Sequence, residues 1–213
     1  GTGSLARIST EVATLARALA AASGRESVGY VIGADPADAA AELAAYLPSV
    51  RTVADSLLEG HAWSTVAAGH LAALATTDLP DLILVGASPD GRDLAGTLSA
   101  LTGLGVLSNS IGVTWAGNGS AVEMSVFGGK LLTTSNFTSG RGIVTVRPNV
   151  ITAEPASASG SVTAVASVPT AGLPVVRVVD RVVEASTAAP IEEAKIIVSG
   201  GRGVGGPEGF GLV

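Results

Sequence analysis

The sequence predicts an α/β fold: a doubly wound, mostly parallel sheet with β-rich hairpin additions, followed by the start of a second α/β domain. Three observations carry this expectation. Short β-branched runs alternate with Ala-rich segments of helical period through the first half. From Gly105 the texture changes to β-rich segments joined by Gly/Asn turns. Near Pro190 a strand-then-glycine pattern begins again. The expected domains are therefore residues 1–189 and residues 190–213.

The elements follow in order. "RISTEVATLARALAAA" places Ile8, Val12, Leu15, Ala16 and Leu19 on one helical stripe. "SVGYVIGADP" reads as a strand closed by a Gly-Asp-Pro turn. Residues 37–47 read as a second helix, stopped by Pro48. "RTVADS" is a short strand, and Trp63, Val66, Ala67, Leu71 and Leu74 mark a third helix. "DLILVG" is the clearest strand of the first half. A fourth helix spans 90–101, with Leu94, Leu98 and Leu101 on one face. "VLSNSIGVTW", "AVEMSVFGG", "KLLTTSNF" and "GIVTVRPN" are then expected as hairpins completing the sheet. "ITAEPASASGSV" reads as a loop, "PVVRVVDRVVEAS" as one more strand, and "STAAP" as a linker into "AKIIVSGGRG". The chain opens on a Gly/Ser loop that runs into a helix. An α/β domain normally begins with a central strand, so the expectation is that this chain starts downstream of the domain's natural start.

Composition narrows the function. Of 213 residues, 47% are hydrophobic and 14% charged, enough apolar material for a substantial core. Aromatics are 3%, so Ala, Val, Leu and Ile must build that core. The net charge of −6 argues against a nucleic-acid or anionic membrane surface. Without cysteine there is no disulfide, thiol catalysis or Cys-ligated metal. No apolar run reaches the ~18 residues of a bilayer span, and no export signal is visible. The expected location is cytoplasmic, or the mitochondrial matrix in a eukaryote.

Few motifs carry chemistry. Residues 201–206 spell G-R-G-V-G-G, which satisfies G-x-G-x-x-G. Glycines permit a tight turn and close approach to a phosphate, and a following helix would aim free N–H groups at the anion. A lone match among 28 glycines is weak, and its plainer account is a solvated loop. Asp90, Arg92 and Asp93 follow a strand, where open α/β sheets bind ligands. Their plainer account has Asp90 capping the helix, Asp93 complementing its dipole and Arg92 pairing locally. His61 and His70 are the two histidines, and a hydrogen-bonded, partly buried His70 is expected rather than a catalytic base. Glu192 and Glu193 are expected to face water, and Lys130, Arg141 and Arg147 to be ordinary surface charges. No Ser–His–Asp set, carboxylate pair or metal-ligand cluster stands out. A rival reading is a stand-alone α/β adenine-nucleotide-binding module using "GADPADAA" and "GASPDGRD", but neither loop has the spacing that wraps a triphosphate.

Four stretches together resemble the α subunit of electron transfer flavoproteins: "SPDGRDLAGTLSALTGLGVLS", "VFGGKLLTTSNF", "GIVTVRPNV" and "AKIIVSGGRGVGGPEGF". Gly209 departs from the family's usual Asn, and Asn109 lies where an acidic residue is usual. The resemblance implies a heterodimer with a β subunit and one bound FAD, held mostly in the α subunit's second domain. It implies electron transfer from flavoprotein dehydrogenases, such as the acyl-CoA dehydrogenases of fatty acid β-oxidation, to a membrane quinone oxidoreductase. The chain would be an electron carrier and not an enzyme. Arg202, flanked by Gly201 and Gly203, would contact the FAD at its flavin or its pyrophosphate. Most of the FAD domain lies beyond what is present, so this fragment is expected to act mainly as the subunit-pairing scaffold and not to retain FAD.

Overall fold

The computed structural model describes residues 5–117, 119–168, 175–180, 182 and 196–212. The chain divides into two compact units, Gly1–Val179 and Asp180–Val213.

In the first unit the helices are α1 (Arg7–Ser23), α2 (Ala37–Leu43), α3 (Trp63–Asp78) and α4 (Pro89–Thr102). The strands are β1 (Val28–Gly33), β2 (Ser49–Ala54), β3 (Leu82–Gly86), β4 (Val106–Ala116), β5 (Gly119–Val126), β6 (Leu131–Ser135), β7 (Gly142–Val146) and β8 (Ser161–Ala164). Helix boundaries have local causes. Gly24 and Gly103 adopt left-handed conformations at the C-caps of α1 and α4. Pro89 opens α4 in the first turn, where its missing N–H is harmless. The expected helix over 37–47 is shorter: regular helix ends at Leu43, and turn bonds such as Tyr46 N–H to the Leu43 carbonyl carry the chain to Pro48.

The strands form two sheets, a parallel one in the order β1-β2-β8 and a mixed one in the order β3-β7-β4-β5-β6. The first four helices and strands thus follow the expected α/β pattern, while the β-rich half differs from simple hairpins. β7 lies between β3 and β4 and is parallel to both. Its run Gly-Ile-Val-Thr-Val is buried throughout, as a strand covered on both faces must be. β4, β5 and β6 form the antiparallel meander. β8, expected as part of a loop, pairs parallel to β2 through Ser161–Ala164. It has only four residues, all exposed, and so lacks the hydrophobic alternation by which strands are recognised.

Side-chain alternation wraps both sheets in helices. Ile32, Val53, Ile83, Val85 and Ile143 pack with α3 and α4. Their neighbours Val31 and Val50 meet α2, while Leu82, Leu84, Val144 and Val146 meet α1. Adjacent strand residues therefore point to opposite helical layers, which is the doubly wound arrangement. The α3/α4 core contains residues of both sheets. Among the described residues β1 and β3 each pair on one side only.

Two expected strands are not seen. In "PVVRVVDRVVEAS" the described residues 175–180 form an isolated bridge between His61 and Arg177. A Val-rich run takes up a strand only where a neighbour offers a ladder, and here the Gly60–Ala62 turn supplies two backbone hydrogen bonds. Residues 196–200 are also not a strand, and Ile196, Ile197 and Val198 are 85%, 59% and 62% exposed. No strand pairs with them among the described residues. The "STAAP" linker with Glu192 and Glu193 lies outside the described residues.

Candidate functional site

The second unit contains the glycine turn. Gly201 is extended, and a 3-10 turn runs over Arg202–Val204, closed by Val204 N–H to the Gly201 carbonyl at 3.0 Å. A second 3-10 segment covers Pro207–Leu212. Arg202 and both flanking glycines are exposed. A Cβ added at Gly201 or Gly203 would meet nothing within 4 Å, so open space borders the backbone there. Among the described residues Arg202 makes no ion pair, and its guanidinium is available to an anion. The three residues are thus contiguous and accessible on one turn. A phosphate or a flavin edge fits against this backbone and charge. The residues present line one side of such a group and do not enclose it.

The strand-end loops of the first unit behave differently. Ser88 and not Asp90 caps α4, accepting the Gly91 N–H at 3.1 Å, while Asp90 sits exposed in the first turn. A Cβ on Gly91 would lie 1.9 Å from the Gly86 carbonyl oxygen. Glycine is required there by the loop's own backbone, not by a ligand. Asp35 likewise accepts the N–H of Ala37 at the start of α2. Both loops satisfy their own donors, which removes the main support for a triphosphate site.

Three polar clusters sit in or on the first unit. His70 is hydrogen-bonded, as expected, but completely rather than partly buried. Its Nε2 lies 2.8 Å from Asp55 Oδ2, and its Nδ1 accepts the Val168 N–H at 3.2 Å. Burial pushes the Asp55 carboxyl up, but the hydrogen bonds from Leu57 N–H and His70 hold it below the usual range. Arg51 bonds Tyr30 Oη at 2.7 Å and Asp78 at 2.5 Å, and Tyr30 Oη donates to Asp78. Burial and the Asp78 carboxylate push Tyr30 up to about 12, against the opposing pull of Arg51. Glu11, almost wholly buried on α1, accepts the Asn149 N–H at 2.9 Å and meets Arg7 at 3.3 Å.

Sequence reasoning missed these clusters. The signal that could have found one of them is Asp55-Ser56, a cap pair that the strand reading of "RTVADS" passed over. Tyr30 and Arg51 become neighbours only through the β1–β2 register. Arg141, expected as an ordinary surface charge, instead bonds the carbonyls of Pro80 at 2.9 Å and Ala75 at 3.4 Å, tying the turn before β7 to the end of α3. Among the described residues no group of three or more His, Cys, Asp or Glu could hold a metal, and no helix is long and apolar enough to cross a membrane.

Residues 1–170 match the family described as electron transfer flavoprotein domain. The chain is 34% identical over 215 aligned positions, 99% of its length, to "Electron transfer flavoprotein subunit alpha" of Mycobacterium tuberculosis, covering 64% of that protein. It is 33% identical to the Mycobacterium leprae protein of the same name over 67% of the chain and 44% of the relative. The Bacillus subtilis protein of that name is 32% identical over 87% of the chain and 57% of the relative. The chain therefore spans roughly half to two-thirds of the length of these relatives. The α/β architecture, the family match and the similarity along nearly the whole chain agree: this chain belongs to the electron transfer flavoprotein family and is related to its α subunits.

Proposed function

We propose that this chain is the pairing scaffold and the opening of the FAD domain of a heterodimeric electron transfer flavoprotein. The carrying observation is the similarity to α subunits along 99% of the chain, which takes in the glycine turn as well as the α/β unit. In this reading residues 1–189 form the first domain and pair with a β subunit. Residues 190–213 begin the FAD domain. FAD supplies the redox chemistry when bound. The chain's own residues bind, orient and set charge. Gly201 and Gly203 leave the backbone open to close approach, and Arg202 brings a permanent positive charge to the flavin or the pyrophosphate.

The protein is then a cytoplasmic carrier and not an enzyme. It takes electrons from flavoprotein dehydrogenases, such as acyl-CoA dehydrogenases, and delivers them to a membrane quinone oxidoreductase. No side chain needs to turn over substrate in this scheme.

The test has two arms. This chain mixed with an electron transfer flavoprotein β subunit should form a one-to-one complex on a sizing column. A longer polypeptide in which residues 190–213 continue into a complete FAD domain should copurify with flavin, whereas the chain alone should not. Within that polypeptide, Arg202→Ala should weaken FAD about 10- to 100-fold, the range for losing a hydrogen bond to a charged group. Arg202→Lys should recover part of it, because the charge survives but the planar fork does not. No complex between this chain and the β subunit, a colourless heterodimer of the longer polypeptide, or unchanged FAD affinity in its Arg202→Ala variant refutes the reading.

A further inference from the structure

The His70 cluster sits on the path by which the chain leaves β8. Val165 N–H bonds the Thr52 carbonyl at 2.8 Å, and Val168 N–H then bonds His70 Nδ1. The next described holds are at Val176–Val178, on Thr65 Oγ1 and on the turn at Gly60 and Ala62. Among the described residues, 166–168 are thus a strap on α3 fastened at Val168 by one imidazole nitrogen.

The two contacts of the ring fix its state. Nδ1 faces an N–H donor and must carry a lone pair, so the hydrogen of the neutral ring is on Nε2, donated to Asp55. Adding a proton to the ring puts N–H against N–H at Val168. The bond at Nε2 gains instead, since Asp55 then faces a cation. Among the described residues no other acceptor meets Nδ1, and the ring is fully buried. The charged groups on the packed elements are few. The turn after β2 contributes Asp55, with Glu59 exposed and His61 bonded to the Leu57 carbonyl. α4 carries Asp90, Arg92 and Asp93, all exposed, and the strap carries none. Asp55 is therefore the one charge in contact with the ring among the described residues.

We propose that His70 is a proton-operated latch: the neutral ring holds the strap at Val168, and protonation expels residues 166–168 while the Asp55 pair keeps α3 in place. Acidification then releases residues 166–168 from α3, beyond the end of β8. This holds whether or not the chain carries electrons, because it uses no part of the glycine turn.

The experiment is NMR on the 213-residue chain across pH, reading the His70 ring nitrogens and the protection factor of the Val168 amide. While the strap is bound, Nε2 should be protonated and Nδ1 bare. As the ring titrates, Val168 protection should fall about tenfold, the upper value for one lost hydrogen bond, while amides inside α3 hold theirs. Val168→Pro removes the opposing N–H, and proline suits the extended backbone already imposed by Pro169. It should move the ring's titration midpoint to higher pH. The latch is overturned by a proton on Nδ1 in the neutral ring or by no ring titration while the chain stays folded. Constant Val168 protection through the titration, or an unchanged midpoint in Val168→Pro, overturns it too.

Discussion

At the scale of single residues, two glycines on one helix separate steric necessity from helix preference. Gly91→Ala drives a methyl into the Gly86 carbonyl at 1.9 Å. It should cost about 3 kcal/mol, the upper range for overpacking, and lower the melting temperature accordingly. Gly96, on the same helix, has nothing within 4 Å of its added Cβ. Gly96→Ala should stabilise by about 0.5–1 kcal/mol, because alanine has the better helix propensity. Tyr30 gives a second test. Its phenol is raised to about 12, so its contribution is complete below pH ~10 and is lost as pH rises toward 12. One tyrosine should yield its phenolate absorbance only near pH 12, and Asp78→Asn should advance that step. Neither the Gly86–Gly91 contact nor the Tyr30–Arg51–Asp78 cluster was legible in the sequence. Each joins residues that only the fold brings together.

At the scale of elements, the strong periodic signals were read correctly and the context-dependent ones were not. Helices α1 and α4 carry their own stripes and end on glycine caps, so their limits are local properties, whereas α3 ends on a left-handed Leu79. β7 is locally plain as a strand, yet its central place depends on what pairs with it on each side. β8 shows the opposite failure: Ser161–Ala164 has no local strand signature and is extended because β2 offers a ladder. The N-terminus of α4 is a fair test of a local rule. Ser88→Ala removes the acceptor for Gly91 N–H and should cost about 1 kcal/mol, measurable by urea denaturation. Asp90→Ala should cost less, since Asp90 contributes only charge near the helix end. Equal losses would return the capping role to Asp90.

At the scale of the whole molecule, the α/β class followed from alternation, but the division into two sheets within shared helical layers did not. No local pattern says which strands are neighbours. The candidate site was legible because Gly201, Arg202 and Gly203 are adjacent in sequence and need no folding to meet. A different property emerges at the outer edge of the mixed sheet. Among the described residues β6 is unpaired on one side, and Phe127, Leu131 and Leu132 are 75%, 53% and 73% exposed. Lys130 is the one charged residue in the stretch from Val126 to Ser135. A bare strand rim with apolar flanks is a template for edge-to-edge stacking, and a lysine beside it is the usual deterrent. Neutralising it with Lys130→Gln should lower the saturation concentration of the isolated chain and bring turbidity at concentrations where the parent stays clear. Colloidal stability of this protein then hangs on a single ammonium group.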